Sequence, residues 1–173
     1  VSNMANSIPK YARPEYERRF LVNEVPDLSG VAFRLIEDLY LDGTSLRLRK
    51  IIHDDERDTL YKLCKKYPGE GTPSLAIVNI YLTPQEYDLF STLSGKGIRK
   101  RRYNIASSAL CIDIFEDHLA GLVLCEIEAE SATSLEAYVL PQWIGRAVSD
   151  DPFFAGGNLA SIDAAQLAKK LSS

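Results

Sequence analysis

The chain has 173 residues, 46% of them hydrophobic and 25% charged, a length and mixture that favour one domain with a real core. No apolar run approaches the ~20 residues of a membrane-crossing helix, no signal-peptide pattern opens the chain, and a net charge of −4 argues against a general nucleic-acid binder. Three isolated cysteines (Cys64, Cys111, Cys125) and two isolated histidines (His53, His118) exclude a disulfide framework and a zinc cluster, so buried free thiols in a cytoplasmic protein are expected.

Met4 is the only methionine, so residues 1–3 are set aside and a single domain is expected over residues 4–173. A first strand is read over residues 13 to 22, then a loop, then "AFRLIEDLYL". Asp42-Gly43 supplies a tight hairpin, and "TSLRLRKII" returns. "HDDERD" is a polar loop, "TLYKLCKKY" a strand, "PGEGTPS" a turn-rich loop and "LAIVNIYL" a strand. Thr83-Pro84-Gln85-Glu86 is a capping box with proline at the first helical position, and Gly95 marks the end of that short helix. Strands resume with "GIRKRRYNI", "ALCIDIFE" and "LVLCEIEAE". Thr133 and Glu136 suggest a second capping box for a helix that Pro141 bends or ends, and "SIDAAQLAKKLSS" reads as a last helix. Eight mostly antiparallel strands with about three helices make an α+β domain, best closed as a barrel because closure leaves no exposed edge.

Alternate residues of a strand share a face. Glu15, Glu17 and Arg19 therefore lie together, as do Arg47 with Arg49, Lys62 with Lys66, Lys100 with Arg102, and Glu126 with Glu128, while Asp113 opposes Ile112 and Ile114. In "IRKRRY", Arg99 and Arg101 charge the other face too, so that strand is ambiguous. Wet outer faces over an apolar core would be the ordinary explanation. The signs, however, segregate by strand, acidic on the terminal ones and basic on the others. Turned inward, these faces would line a polar tunnel with one acidic wall. Its occupant must satisfy both signs, as a polyphosphate bridged to carboxylates by Mg²⁺ or Mn²⁺ does, an arrangement suited to phosphoryl transfer.

The ordered motifs "EYERRFLV", "SLRLRK", "LCKK", "RKRRY", "CIDIFEDHLAGL" and "LVLCEIEAE" resemble the CYTH, or triphosphate tunnel metalloenzyme, superfamily from about residue 13 to about 160. The resemblance implies an eight-stranded tunnel that hydrolyses or cyclises triphosphate compounds with a divalent metal. On matching positions it implies metal ligation by Glu15, Glu17, Glu126 and Glu128, with Asp113 contributing. Phosphate would be gripped by Arg47, Arg49, Lys66, Lys100 and Arg102, with Arg19 in the place of the family's lysine and Lys62 added by its shared face. Small bacterial members are typically inorganic triphosphatases in which a lysine and a tyrosine help activate water; those positions match Lys100 and Tyr40. Period 2 places Tyr40 on one face with Arg34 and Asp38.

Three departures stand out. Arg19 keeps charge but changes geometry, "SLAIVNIYL" lacks the family's Arg/Glu-rich strand, and "VSDDPFF" puts Phe153 and Phe154 where Arg and Tyr are usual. The expected activity is metal-dependent hydrolysis of inorganic triphosphate. The alternatives are a polyphosphate- or nucleotide-binding module without turnover, and a hydrolase or cyclase acting on an organic triphosphate such as ATP or thiamine triphosphate. The substrate is expected to be a small polyphosphate, with no nucleic-acid or membrane partner, in a monomer or homodimer.

Overall fold

A computed structural model describes residues 8–53, 59–67, 74–106 and 108–172. Most of the two polar loops, at 54–58 and 68–73, lies outside these residues, as do residues 1–3 and Met4. The described residues form nine strands: β1 (Arg13–Val22), β2 (Phe33–Leu41), β3 (Leu46–His53), β4 (Thr59–Tyr67), β5 (Ser74–Leu82), β6 (Gly95–Asn104), β7 (Leu110–Phe115), β8 (Val123–Ala129) and β9 (Ile144–Ala147). The helices are α1 (Pro84–Ser91), α2 (Ala132–Glu136), α3 (Gly156–Leu159) and α4 (Ala164–Leu171), with 3₁₀ turns at Asp117–Leu119 and Pro152–Phe154.

The strand order is β5-β4-β3-β2-β6-β7-β8-β1-β9, with a further pairing of β5 to β1, and every pairing is antiparallel. That last pairing closes the expected eight-stranded barrel. β1 joins β5 from Arg13↔Ile77 to Tyr16↔Ser74, and joins β8 from Tyr16↔Ala129 to Leu21↔Leu124. At the hairpin between β2 and β3, Gly43 adopts the positive φ of 68° that a residue with a Cβ resists.

Two local expectations are corrected. The helix after β8 is shorter than expected and is capped by Ser131, whose extended backbone lets Oγ accept from the Ser134 amide at 3.1 Å. The chain beyond Pro141 then forms the ninth strand instead of continuing the helix. Gly145 allows this, because a Cβ there would meet the Leu21 carbonyl at 2.9 Å and the Asn23 side chain at 2.5 Å. Similarly, α1 ends at Thr92, and Gly95 opens β6, where a Cβ would lie 2.5 Å from the Tyr40 carbonyl. The capping box at Thr83 and Glu86 forms as expected.

Most of the apolar core lies outside the barrel wall. Leu41, Leu48 and Leu63 pack under Tyr87 and Phe90 of α1. Phe20, Leu110, Cys125 and Ile127 pack with Leu135, Ile144 and Trp143 on another outer face. A third cluster plugs one end of the barrel, where Ile98, Phe115 and Leu124 meet Phe154, Leu159 and Leu167. Each fully buried side chain of this kind stabilises the fold by about 1.5–3 kcal/mol, which frees the barrel interior to be polar.

Candidate active site

A cavity of about 360 Å³ occupies the barrel interior, and the parity of each strand decides what lines it. β1 contributes Glu15, Glu17 and Arg19, β2 Asp38 and Tyr40, and β3 Arg47 and Arg49. Cys64 and Lys66 come from β4, Lys100 and Arg102 from β6, Cys111 from β7, and Glu126 and Glu128 from β8. The ambiguity in β6 is resolved: Lys100 and Arg102 point inward, while outside the barrel Arg99 and Arg101 pair with Glu116 at 2.9 and 2.8 Å.

The acidic wall is β1 beside β8, where Glu17 lies opposite Glu128 and Arg19 opposite Glu126. Lys66 reaches Glu15 at 2.5 Å and Glu17 at 4.0 Å, and Arg19 Nε lies 2.9 Å from Glu17. Burial raises the Glu17 carboxyl above its ordinary range, and repulsion from Glu126 and Glu15 adds to this against the pull of Lys66 and Arg19. Glu128 is exposed.

The basic wall is held by two carboxylates. Arg49 donates to both oxygens of Asp38, at 2.6 and 2.7 Å, and Arg47 Nε lies 3.7 Å from the same group. Burial opposes the ionised form of Asp38, but Arg49 and Arg47 outweigh it and hold the carboxyl well below the usual range. The buried Arg47 Nε makes no hydrogen bond, which leaves a donor available to an anion oxygen. On the neighbouring strands β6 to β8, Arg102 clasps Asp113 at 2.7 and 2.6 Å and also contacts Glu126, while Lys100 contacts Asp113 and lies 3.9 Å from Glu126. Burial would raise Glu126 too, yet Arg102, Lys100 and Arg19 bring it far below the carboxylate range.

Eleven of the thirteen residues expected at the site line the cavity. The other two, Asp113 and Lys62, do not. Asp113 is fully buried behind it, with both oxygens engaged by Arg102 and Lys100. Lys62 shares the inward register opposite Arg49, but its ammonium sits over the Tyr81 ring at 5.1 Å. Lys100 and Tyr40 are both on the wall, with no hydrogen bond between them among the described residues. Burial, reinforced by Asp38, pushes the Tyr40 hydroxyl up, so at neutral pH it is a neutral donor.

Sequence reasoning gave Asp38 no role, although period 2 had put it on the Tyr40 face. The chain after β9 also forms part of the wall: Phe154, Ala155, Gly156 and Leu159 line the cavity, and the Phe154 carbonyl accepts from Arg19 Nη1 at 2.6 Å. Residues of the segment 149–154 have local roles. The Arg19 amide donates to Ser149 Oγ at 2.8 Å, Asp151 caps the 3₁₀ turn, and Phe154 belongs to the plug. All three cysteines are free. Cys64 and Cys125 are buried, as expected, whereas Cys111 is only partly so.

Among the described residues no three His, Cys, Asp or Glu side chains converge as a ready metal cage. The charge balance nevertheless suits a hard cation. Five carboxylates and six cationic side chains line the cavity, and Asp113 behind them evens the count. A polyanion added alone would make the interior strongly negative. The crowded oxygen donors of β1 and β8 fit a divalent ion that would restore balance.

No family model matches the chain. It is 31% identical over 153 residues to an inorganic triphosphatase of Nitrosomonas europaea, a match covering 84% of this chain and 96% of that protein. Two solved structures share the fold at 25% identity. The crystal structure of the hypothetical protein NE1496 matches with a TM-score of 0.57 over 86% of this chain and 99% of the other. That of the inorganic triphosphatase NE1496 matches with a TM-score of 0.55 over 84% and 93%. A closed barrel with the motif charges facing inward, similar along nearly its whole length to a triphosphatase, places the chain in the CYTH, or triphosphate tunnel metalloenzyme, superfamily.

Proposed function

We propose that this protein hydrolyses inorganic triphosphate, adding water across one phosphoanhydride bond to release pyrophosphate and orthophosphate. The observation that carries the reading is the charged cavity inside a closed barrel, in a chain 31% identical to an inorganic triphosphatase.

Arg47, Arg49, Lys66 and Arg102 grip nonbridging oxygens and stabilise the charge that develops on them, with Arg19 at the inner end and Lys62 outside the cavity surface. Lys100, fixed by Asp113, and the neutral Tyr40 hydroxyl orient the attacking water. Mg²⁺ or Mn²⁺ would be held by Glu15, Glu17, Glu126 and Glu128, of which Lys66 and Arg19 now engage the first two. Bound there, the ion supplies Lewis-acid polarisation of the phosphoryl group. Asp113 serves this site as the anchor of Lys100 and Arg102.

A second reading, retention of the anion without turnover, draws on β5, whose inward positions Ile77, Asn79 and Tyr81 carry no charge. Phosphate release from tripolyphosphate, pyrophosphate, ATP and thiamine triphosphate, each with Mg²⁺, Mn²⁺ or EDTA, separates the readings. Release from tripolyphosphate that EDTA abolishes is the expected result. Tight binding of tripolyphosphate without release would support the second reading instead, and preference for ATP or thiamine triphosphate would shift the substrate class.

A further inference from the structure

The segment that closes the plugged end of the barrel also touches two residues of the polar site through its backbone. At Phe154 the contact is the carbonyl that receives Arg19 Nη1. At Gly156 it is the lack of a side chain: a Cβ built there would lie 1.9 Å from the Tyr40 hydroxyl and 2.7 Å from Cζ of the ring. Neither distance is tolerable, so one of the two partners must shift. Gly156 opens α3, whose amides at Asn158, Leu159 and Ala160 bond back into the turn, and Leu159 is buried in the plug at 1% exposure. The Tyr40 backbone is held by β2, paired on one side with Arg47 and on the other with Lys96, so the shift falls on its ring.

Gly156 is not a glycine of backbone necessity. Its φ is not in the left-handed range, unlike Gly30, Gly43 and Gly121, so an alanine could adopt the same backbone. What the position requires is the space. The next residue shows the contrast, since a Cβ on Gly157 would meet Tyr40 Cδ1 at 3.6 Å, an ordinary contact.

We infer that Gly156 is a positioning residue: its bare Cα is the seat of the Tyr40 hydroxyl, and the C-terminal segment thereby sets where that hydroxyl points in the cavity. The inference rests on the triphosphatase reading for its consequence in rate. The seat itself is a matter of packing, independent of turnover. A methyl group at 156 drives the Tyr40 ring away, and a displacement of the order of 1 Å at a reacting group costs up to about 100-fold in rate.

The test compares the wild-type chain with Gly156→Ala, Gly157→Ala, Tyr40→Phe and the double variant Gly156→Ala/Tyr40→Phe, using tripolyphosphate and Mg²⁺. Gly156→Ala is expected to lower kcat by about 10- to 100-fold with KM changed by less than about 3-fold, and Gly157→Ala to stay close to wild type. In the Tyr40→Phe background Gly156→Ala should add less than a further ~2-fold, because the two act through one hydroxyl. An equal loss in both backgrounds, or a wild-type kcat for Gly156→Ala, would overturn the inference. Ring-¹³C tyrosine labelling, with the Tyr40 resonance assigned by its loss in Tyr40→Phe, reads the seat without activity. That resonance should move in Gly156→Ala and stay in place in Gly157→Ala. If the wild type releases no phosphate the triphosphatase reading fails alone; if the resonance does not move, the seat fails alone.

Discussion

Arg49 and Asp38 face each other across β3 and β2 as a two-pronged pair, Nε to Oδ1 at 2.6 Å and Nη2 to Oδ2 at 2.7 Å, with the carboxylate only 5% exposed. A buried pair of this kind costs more to break than it is worth to make, because the survivor keeps its charge without a partner. Asp38→Asn leaves Arg49 and Arg47 facing each other and is expected to destabilise the fold by about 3–5 kcal/mol, measured by urea unfolding at pH 7.

The same pair sets the acid branch of stability. Burial pushes Asp38 up, but Arg49 and Arg47 pull it below its unfolded value of about 3.9. Its contribution is therefore complete above that unfolded value and drains as pH falls toward the lower folded one. Glu126 behaves alike through Arg102 and Lys100. The stability gap between wild type and Asp38→Asn should shrink between pH 5 and pH 2.5. A gap that stays constant over that window would show that Asp38 is not the titrating group.

Glu17 has the opposite character, because burial and Glu126 raise its pKa and make its ionised form uncomfortable without a cation. Glu17→Gln should weaken Mg²⁺ or Mn²⁺ binding, followed by calorimetry, by roughly 10-fold or more. It should lower Tm by less than Asp38→Asn does. Glu128→Gln, at an exposed position on the same wall, should weaken the cation with almost no change in Tm. Unaltered cation affinity in both variants would remove β1 and β8 from the metal assignment.

Arg19→Lys tests whether the guanidinium is needed for its shape. A lysine keeps the charge near Glu17 but cannot also reach the Phe154 carbonyl with a second nitrogen. Loss of that bond should cost about 1.5–3 kcal/mol and loosen the plug, seen as faster amide exchange at Phe154 to Ala160. Wild-type stability and exchange in Arg19→Lys would mean the contact contributes nothing.

Thr83→Ala separates scaffold from site. It removes the capping box of α1, on the outer face of the barrel, and should cost about 1 kcal/mol with kcat for tripolyphosphate unchanged.

Much of this was legible because a barrel strand has period 2 and the charges obey it. Glu15, Glu17 and Arg19 share a face in the sequence and share the cavity in the fold. What period 2 cannot supply is depth along the strand. Asp113 has the same inward parity as Cys111 and Phe115, yet it sits behind two cations instead of at the surface, and Lys62 lies beside Tyr81 beyond the cavity's reach. Period 2 puts Asp38 on the Tyr40 face, but only the fold brings Arg49 and Arg47 to its carboxylate. Irregular chain was the least readable. β9 is four residues long, and the seat at Gly156 depends on a contact with Tyr40 over a hundred positions away that no local periodicity encodes.

The three-way pairing of β1 joins strands that are far apart in the chain. β1 is synthesised before its partners β5, β8 and β9, and its Arg19 meets Glu126 only after more than a hundred further residues have been made. During that wait it is an unpaired edge, the element most prone to stick to another chain, and alternating charge keeps such an edge solvated. The carboxylates of β1 would keep that edge solvated in the unfinished chain, and a neutral substitution among them should lower soluble yield even where it leaves the folded protein stable.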